Sequence, residues 1–166
     1  MYHAISEFIA EWTLESESTS KVLSALTDAS LAQKVYPDGR SLGQLAWHIV
    51  QTLGEMGTRA GLKFSASVEK APLPDTAGKI VSTYRSVAVA LGNAVKAEWT
   101  DAGLSGEIEM YGEKWTRSKA LSSLIRHEIH HRAQMTVLMR QAGLKVPGVY
   151  GPSKEEWTQY NMKAPE

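Results

Sequence analysis

The chain has 166 residues, the size of one domain, and its 18 basic and 18 acidic side chains give a formal net charge of zero. It carries five histidines and no cysteine, which excludes a disulfide-stapled fold, a thiolate zinc finger, an iron–sulfur protein and a cysteine nucleophile. The absence of a basic excess argues against nucleic acid as a partner. Residues 1–60 hold seven acids and four bases and the remainder 14 bases and 11 acids, too weak a tilt for a DNA surface. Met1–Ala10 lacks a basic segment followed by a sustained apolar run, and no stretch approaches the roughly 18 to 20 apolar residues of a membrane span. The expectation is a cytoplasmic protein with no membrane partner.

The first predicted helix spans about Ser6 to Thr27. Ile5, Phe8, Ile9, Trp12, Val22, Leu23 and Leu26 recur there at three- and four-residue steps. Glu7, Glu11 and Glu15 lie four apart on another face and read as a solvated row rather than a carboxylate metal site. Tyr36-Pro-Asp-Gly39 is a turn by composition. Ser41-Leu-Gly-Gln44 then has the capping-box pattern, and Leu42, Leu45, Ile49, Leu53 and Met56 stripe a second helix to about Arg59. Residues 65–78 form a long loop, since Pro72-Leu-Pro74 excludes a helix interior. A third helix follows from about Thr76 to Glu98, burying Ile80, Tyr84, Val87, Leu91 and Val95.

Ile108, Met110 and Tyr111-Gly-Glu113, before Lys114 and Trp115, read as a short hairpin. The fourth helix runs from about Ser118 to before Gly143. Past it lies the tail Val146-Pro-Gly-Val-Tyr-Gly-Pro152, and a second capping box, Ser153-Lys-Glu-Glu156, predicts a final short helix through Trp157. Four amphipathic helices with little strand predict an all-α four-helix bundle, one domain over residues 1–166 with a C-terminal loop and short helix from about 143.

The chemistry concentrates in Arg126-His-Glu-Ile-His-His131-Arg-Ala-Gln134. At about 100° per residue, His131 falls about 40° from His127, and both share the edge of the buried stripe. His130 points about 100° away from His131. In the second helix His48 likewise borders the apolar face marked by Leu45, Ile49 and Met56. Three imidazoles at the rim of one bundle interior form the pattern of a metal site built from facing helices, for an ion that accepts imidazole. Three protein ligands leave an open position for water or substrate. Each histidine taken alone also fits a core histidine bonded to backbone.

His127, Glu128 and His131 also satisfy His-Glu-x-x-His, the zincin pattern. Gln134 stands where the metzincin continuation requires glycine, and a third ligand for a small metalloprotease would have to come from Glu155 or Glu156. Glu128 itself falls near the middle of the buried stripe, where Arg132 at i+4 is its simplest partner. Its chemical alternative is a partner or base beside a bound metal. Ser18-x-x-Lys21 and Ser67-x-x-Lys70 are isolated matches without companion motifs.

Leu45-Ala-Trp-His48-Ile-Val, His127-x-x-His-His131-Arg-Ala-Gln134 and Val146-Pro-Gly-Val-Tyr-Gly-Pro-Ser153 together resemble the DinB family of DinB/YfiT-like metalloenzymes, in the right order over most of the chain. The resemblance implies an up-down-down-up bundle with a long crossover. It implies a divalent metal, zinc or nickel, on His48, His127 and His131. It also implies chemistry on a small molecule through metal-activated water or a low-molecular-weight thiol, a hydrolase or thiol S-transferase. The competing readings are a non-catalytic metal- or ligand-binding stress-response protein and the small zincin. A homodimer packed along exposed helix faces is the expected assembly.

Overall fold

Hydroxyl side chains open three of the four helices. The computed structural model describes residues 1–66 and 68–165 and contains α1 (Ile5–Ser24), α2 (Leu42–Arg59), α3 (Ala77–Glu98) and α4 (Arg117–Gln141). Ser41, Thr76 and Thr116 each accept a hydrogen bond from the backbone N–H three residues on, relieving one of the unpaired amides of a helix start. The box at α2 is complete, because Gln44 Oε1 accepts from the Ser41 N–H at 2.7 Å. Ser41→Ala is therefore expected to cost about 1 kcal/mol. That lowers Tm by about 2 to 4 °C, with Ser41→Thr restoring most of it in thermal unfolding. α1 has no such hydroxyl; Glu7 accepts from the His3 and Ala4 amides instead, and Asp101 from that of Ile5.

Two 3₁₀ turns, Asp28–Ala32 and Asp101–Ser105, were not expected from periodicity. The first explains why α1 stops at Ser24 rather than running to Thr27. Thr27 Oγ1 accepts from the Ser30 amide and Ser30 Oγ from the Thr27 amide, so Thr27 caps a new turn. Ser67 of the second Ser-x-x-Lys match lies outside the described residues, as does Glu166 at the end of the domain.

α1 packs mainly on α3 and α4, and α2 mainly on the same two helices. Around the bundle the order is α1–α3–α2–α4, so the consecutive helices α1 and α2 sit across a diagonal. The long 60–76 connection joins the neighbours α2 and α3. That connection is held to α2 by hydrogen bonds: the Trp47 indole donates to the Ala71 carbonyl at 3.0 Å, and the Gln51 amide donates to those of Glu69 and Ala71. Phe8, Trp12, Leu53, Tyr84, Leu91 and Met139 fill the core. Trp12 donates to the Ala88 carbonyl, and Gly92 lets the indole approach so closely that an added Cβ would sit 3.2 Å from it.

Between α3 and α4 lies the hairpin, β1 (Glu107–Met110) antiparallel to β2 (Glu113–Thr116), with Met110 opposite Glu113. Its two-residue turn has φ of 55° at Tyr111 and 80° at Gly112, the signature of a type I′ hairpin. Tyr111 is an unusual occupant of that position. Its hydroxyl donates to Glu55 at 3.2 Å, the Arg59 guanidinium lies 5.1 Å from its ring, and the Trp115 ring lies 5.8 Å away. At the other end, Trp157–Tyr160 is a 3₁₀ turn that starts where the predicted short helix was to end. The second capping box is half-formed: Glu156 accepts from the Ser153 and Gly148 amides, while Ser153 Oγ has no partner among the described residues.

A buried ionic network fixes the rotation of α4. Arg132, 2% exposed, donates from Nη2 to Glu15 at 2.5 Å and from Nη1 to the Glu15 carbonyl and Thr19 Oγ1. The Tyr150 hydroxyl, from the Pro/Gly tail, lies 2.7 Å from Arg132 Nη2 and 2.9 Å from the Glu15 carboxylate. The network corrects two expectations. Glu15 is not part of a solvated row, although Glu7 and Glu11 are exposed, because it lies on the seam where α1 meets α4. And Arg132 pairs with Glu15 rather than with Glu128, since the tertiary partner is desolvated and within reach on the facing helix. Glu128, 1% exposed, accepts instead from Thr19 at 2.6 Å and from the Tyr84 hydroxyl at 2.7 Å.

Candidate metal site

His48 on α2 and His127 and His131 on α4 turn their rings toward one point. His127 Nε2 lies 3.2 Å from His48 Nε2 and 3.1 Å from His131 Nε2, and one nitrogen from each ring fits within a 4.8 Å span. The ring centroids are 4.4 to 5.0 Å apart and the planes cross at 65° to 83°, so edges rather than faces converge. Two features put the pair on α4 opposite α2: the i, i+4 spacing stacks the rings a turn apart, and Arg132 holds the adjacent face of the helix against α1. His130 is exposed, with its ring 4.9 Å from that of His131, and His3 is exposed at the N-terminus.

The donor set fits a divalent ion. Imidazole nitrogens bound to zinc at about 2.0 to 2.1 Å stand about 3.3 Å apart in tetrahedral geometry, close to the two separations from His127. The tautomer also fits: Gln134 Oε1 lies 2.7 Å from His131 Nδ1 and accepts its proton, leaving the lone pair on Nε2. In the sequence Gln134 figured as a mismatch to the metzincin pattern and as the end of the family-like motif, with no role of its own; its position three residues beyond His131 is the signal that could have assigned one. Neutral rings are what a metal requires, and burial keeps them so. Burial, then the His131 and Arg40 charges, push His48 down to about 4; burial and the neighbouring imidazoles do the same to His127; burial lowers His131 as well.

Three clefts meet at the triad. One of about 290 Å³ has His48 and His127 at its floor and Tyr111, Trp115, Met56 and Thr52 among its walls. A second of about 310 Å³ runs past His48 to Trp47 and Arg40. The third, about 460 Å³, opens beside His131 between α4 and the loop before α2. The Tyr111–Trp115 wall and Arg40 carry no motif, because the hairpin and the loop reach the site only through the fold.

Glu128 stands outside this ring: its hydrogen bonds run to Thr19 and Tyr84, and Oε2 is buried without a partner among the described residues. Burial pushes its carboxyl up to about 7, against the pull of Thr19, Tyr84 and Arg132. Glu155 pairs with Arg140 and Glu156 with the tail amides, so His48 and neither glutamate completes the cluster.

These shifts have opposite signs in acid. The histidines are neutral when folded and titrate near 6.5 when unfolded, so the unfolded chain takes up more protons as pH falls from 6.5 toward 4, and stability drops. Glu128 holds its proton when folded and loses it near 4.5 when unfolded, so its contribution is present below 4.5 and is lost as pH rises through 7. In metal-free protein, the urea midpoint of Glu128→Gln relative to wild type is expected to climb between pH 4.5 and 7.5. A pH-independent difference would refute the assignment.

Comparisons with known proteins bear on the family and the fold. The protein YrdA of Bacillus subtilis (strain 168), described as uncharacterized, is 41% identical over 166 residues, covering 100% of this chain and 99% of its own. The crystal structure of a DinB-like protein from Bacillus cereus ATCC 10987 superposes with a TM-score of 0.87 at 46% identity, over 90% of this chain and 100% of that one. A DinB-like protein of B. subtilis, YjoA, shares the fold at 16% identity and a TM-score of 0.69, covering 86% of this chain and 96% of its own. No helix among the described residues is long and apolar enough to cross a membrane. With the DinB family model matching residues 1–164, and the four-helix architecture and histidine cluster described above, this chain belongs to the DinB family.

Proposed function

We propose that this chain is a divalent-metal-dependent enzyme in which His48, His127 and His131 hold zinc or nickel and the substrate is a small molecule. The observation that supports this reading is the convergence of three neutral Nε2 donors, 3.1 and 3.2 Å apart, at a point where three clefts meet. A facial set of three protein ligands leaves room for an exchangeable one, the arrangement of catalytic rather than structural sites. When bound, the ion supplies Lewis acidity that lowers the pKa of a coordinated water or thiol. The chain supplies the rest. Gln134 orients the His131 ring, the half-buried imidazoles stay neutral, and Tyr111 and Trp115 line one side of the site. With no cysteine in the chain, a reacting thiol comes from outside.

The first test is metal content. Purified protein is expected to hold about one zinc or nickel per chain, with anomalous scattering placing it among the three rings; less than a tenth of an ion after metal loading overturns the reading. The second test separates the chemistries. Metal-dependent turnover of an electrophilic aryl chloride with a low-molecular-weight thiol supports S-transfer, and turnover of p-nitrophenyl acetate without thiol supports hydrolysis. A fully loaded protein inert in both assays supports the non-catalytic binding reading instead.

A further inference from the structure

The widest cleft at the triad has an uneven character. Its lining includes Val35, Tyr36 and Val137, which are 57%, 61% and 55% exposed, a concentration of bare apolar surface around one opening. His131 and Arg40 line the same cleft. Arg40 makes no ion pair or side-chain hydrogen bond among the described residues, whereas Arg59, Arg132 and Arg140 are each paired with a glutamate. It also lines the neighbouring cleft beside His48, and no aspartate or glutamate among the described residues lines either one. In a chain of zero net charge, the mouth of the site therefore presents an isolated cation.

The loop that carries Arg40 is well anchored. The Leu42 amide donates to the Gln33 carbonyl at 2.8 Å, closing its base, and Lys34 Nζ donates to that of Pro37. The Gly39 amide donates to the Tyr36 carbonyl, and the Tyr36 ring lies over Gly39 so closely that a Cβ there would be 3.0 Å from it. Arg40 then immediately precedes the α2 cap. Its guanidinium, with its N–H donors uncommitted among the described residues, can grip a carboxylate with two parallel N–H donors.

We propose that Arg40 binds the carboxylate of a small ligand whose apolar body lies along Tyr36, Val35 and Val137 in the 460 Å³ cleft, with its other end toward His131. The volume is that of a small-molecule site. Arg40 is thus a specificity-determining residue that selects anionic, partly apolar substrates. The assignment deepens the metalloenzyme reading, but the Arg40 contact itself does not require a metal. Free phosphate presents the same anionic chemistry without an apolar body, so the two sources can be told apart.

Calorimetric titration of metal-free and zinc-loaded protein with hexanoate, hexan-1-ol and inorganic phosphate tests this, with zinc content measured on the same samples. Wild type is expected to bind hexanoate more tightly than either hexan-1-ol or phosphate. Arg40→Gln should weaken hexanoate about tenfold and leave hexan-1-ol unchanged, with Arg40→Lys between the two. The dependence on Arg40 is expected in both metal-free and zinc-loaded protein. Equal hexanoate affinity in wild type and Arg40→Gln overturns the proposal, as does phosphate binding as tightly as hexanoate, or no binding of hexanoate at all. Failure to take up zinc, with the Arg40 dependence intact in the metal-free samples, overturns the metalloenzyme reading alone.

Discussion

His127→Ala is expected to lose about a thousandfold in zinc affinity while keeping its fold. His127 is the common vertex of the cluster, in contact with both His48 and His131, so its removal leaves two rings with no nitrogen between them. If roughly 12 kcal/mol of apparent binding energy is shared evenly by three imidazoles, one ring accounts for about 4 kcal/mol. At a free-zinc concentration 100 times the wild-type Kd, binding stabilises the wild type by about 2.7 kcal/mol, or about 5 to 10 °C in Tm for a chain of this size. The variant should show almost none of that shift, and in the presence of a chelator its Tm should match the wild type within a few degrees. Gln134→Ala removes the group that orients His131 without removing a ligand, so a loss of about 10- to 100-fold is expected. Equal zinc content in His127→Ala and wild type would sink the site assignment.

Arg132→Met is expected to destabilise the protein by about 3 to 5 kcal/mol, several times the cost of losing a helix cap. The substitution keeps volume and apolar contact but strands the Glu15 carboxylate, whose side chain is only 10% exposed, without its cation. In urea unfolding this moves the midpoint by about 2 M for a slope of about 2 kcal/mol/M. The double variant Glu15→Leu with Arg132→Met should recover most of the loss, because no charge is left buried. Tyr150→Phe, which leaves the ion pair in place, should cost only about 1 kcal/mol. A loss below 1 kcal/mol in Arg132→Met would mean that the pair is solvated in solution. The network matters to the site because Arg132 follows His131 directly. Anchoring one residue to α1 directs the other toward α2.

Much of the helix pattern was legible in the chain itself. Ser41 and Gln44 marked the start of α2, Ile108 to Trp115 marked the hairpin, and Pro72 and Pro74 marked the long connection, because each signal depends on a few consecutive residues. The 3₁₀ turns were missed, since they are too short to carry a hydrophobic period. The site was legible in part. Helical phase put His48, His127 and His131 on buried edges and His130 off them, as the structure also has it. The same phase argument put Glu128 beside Arg132, and there it erred, because i, i+4 spacing gives a neighbour on one helix but says nothing about a better partner on the next.

Composition, phase and capping thus determined four amphipathic helices, a long connection between the second and third, and a histidine set free of sulfur. These follow from local geometry, in which each residue's direction is fixed by its place in the helix. Which charges pair, which loop arginine stands at the mouth of the site, and which tyrosine and tryptophan wall it were decided only by the tertiary structure. Those contacts join residues as distant as Glu15 and Tyr150. Their energies depend on desolvation by helices packed from elsewhere in the chain, a quantity that no local stretch of sequence contains.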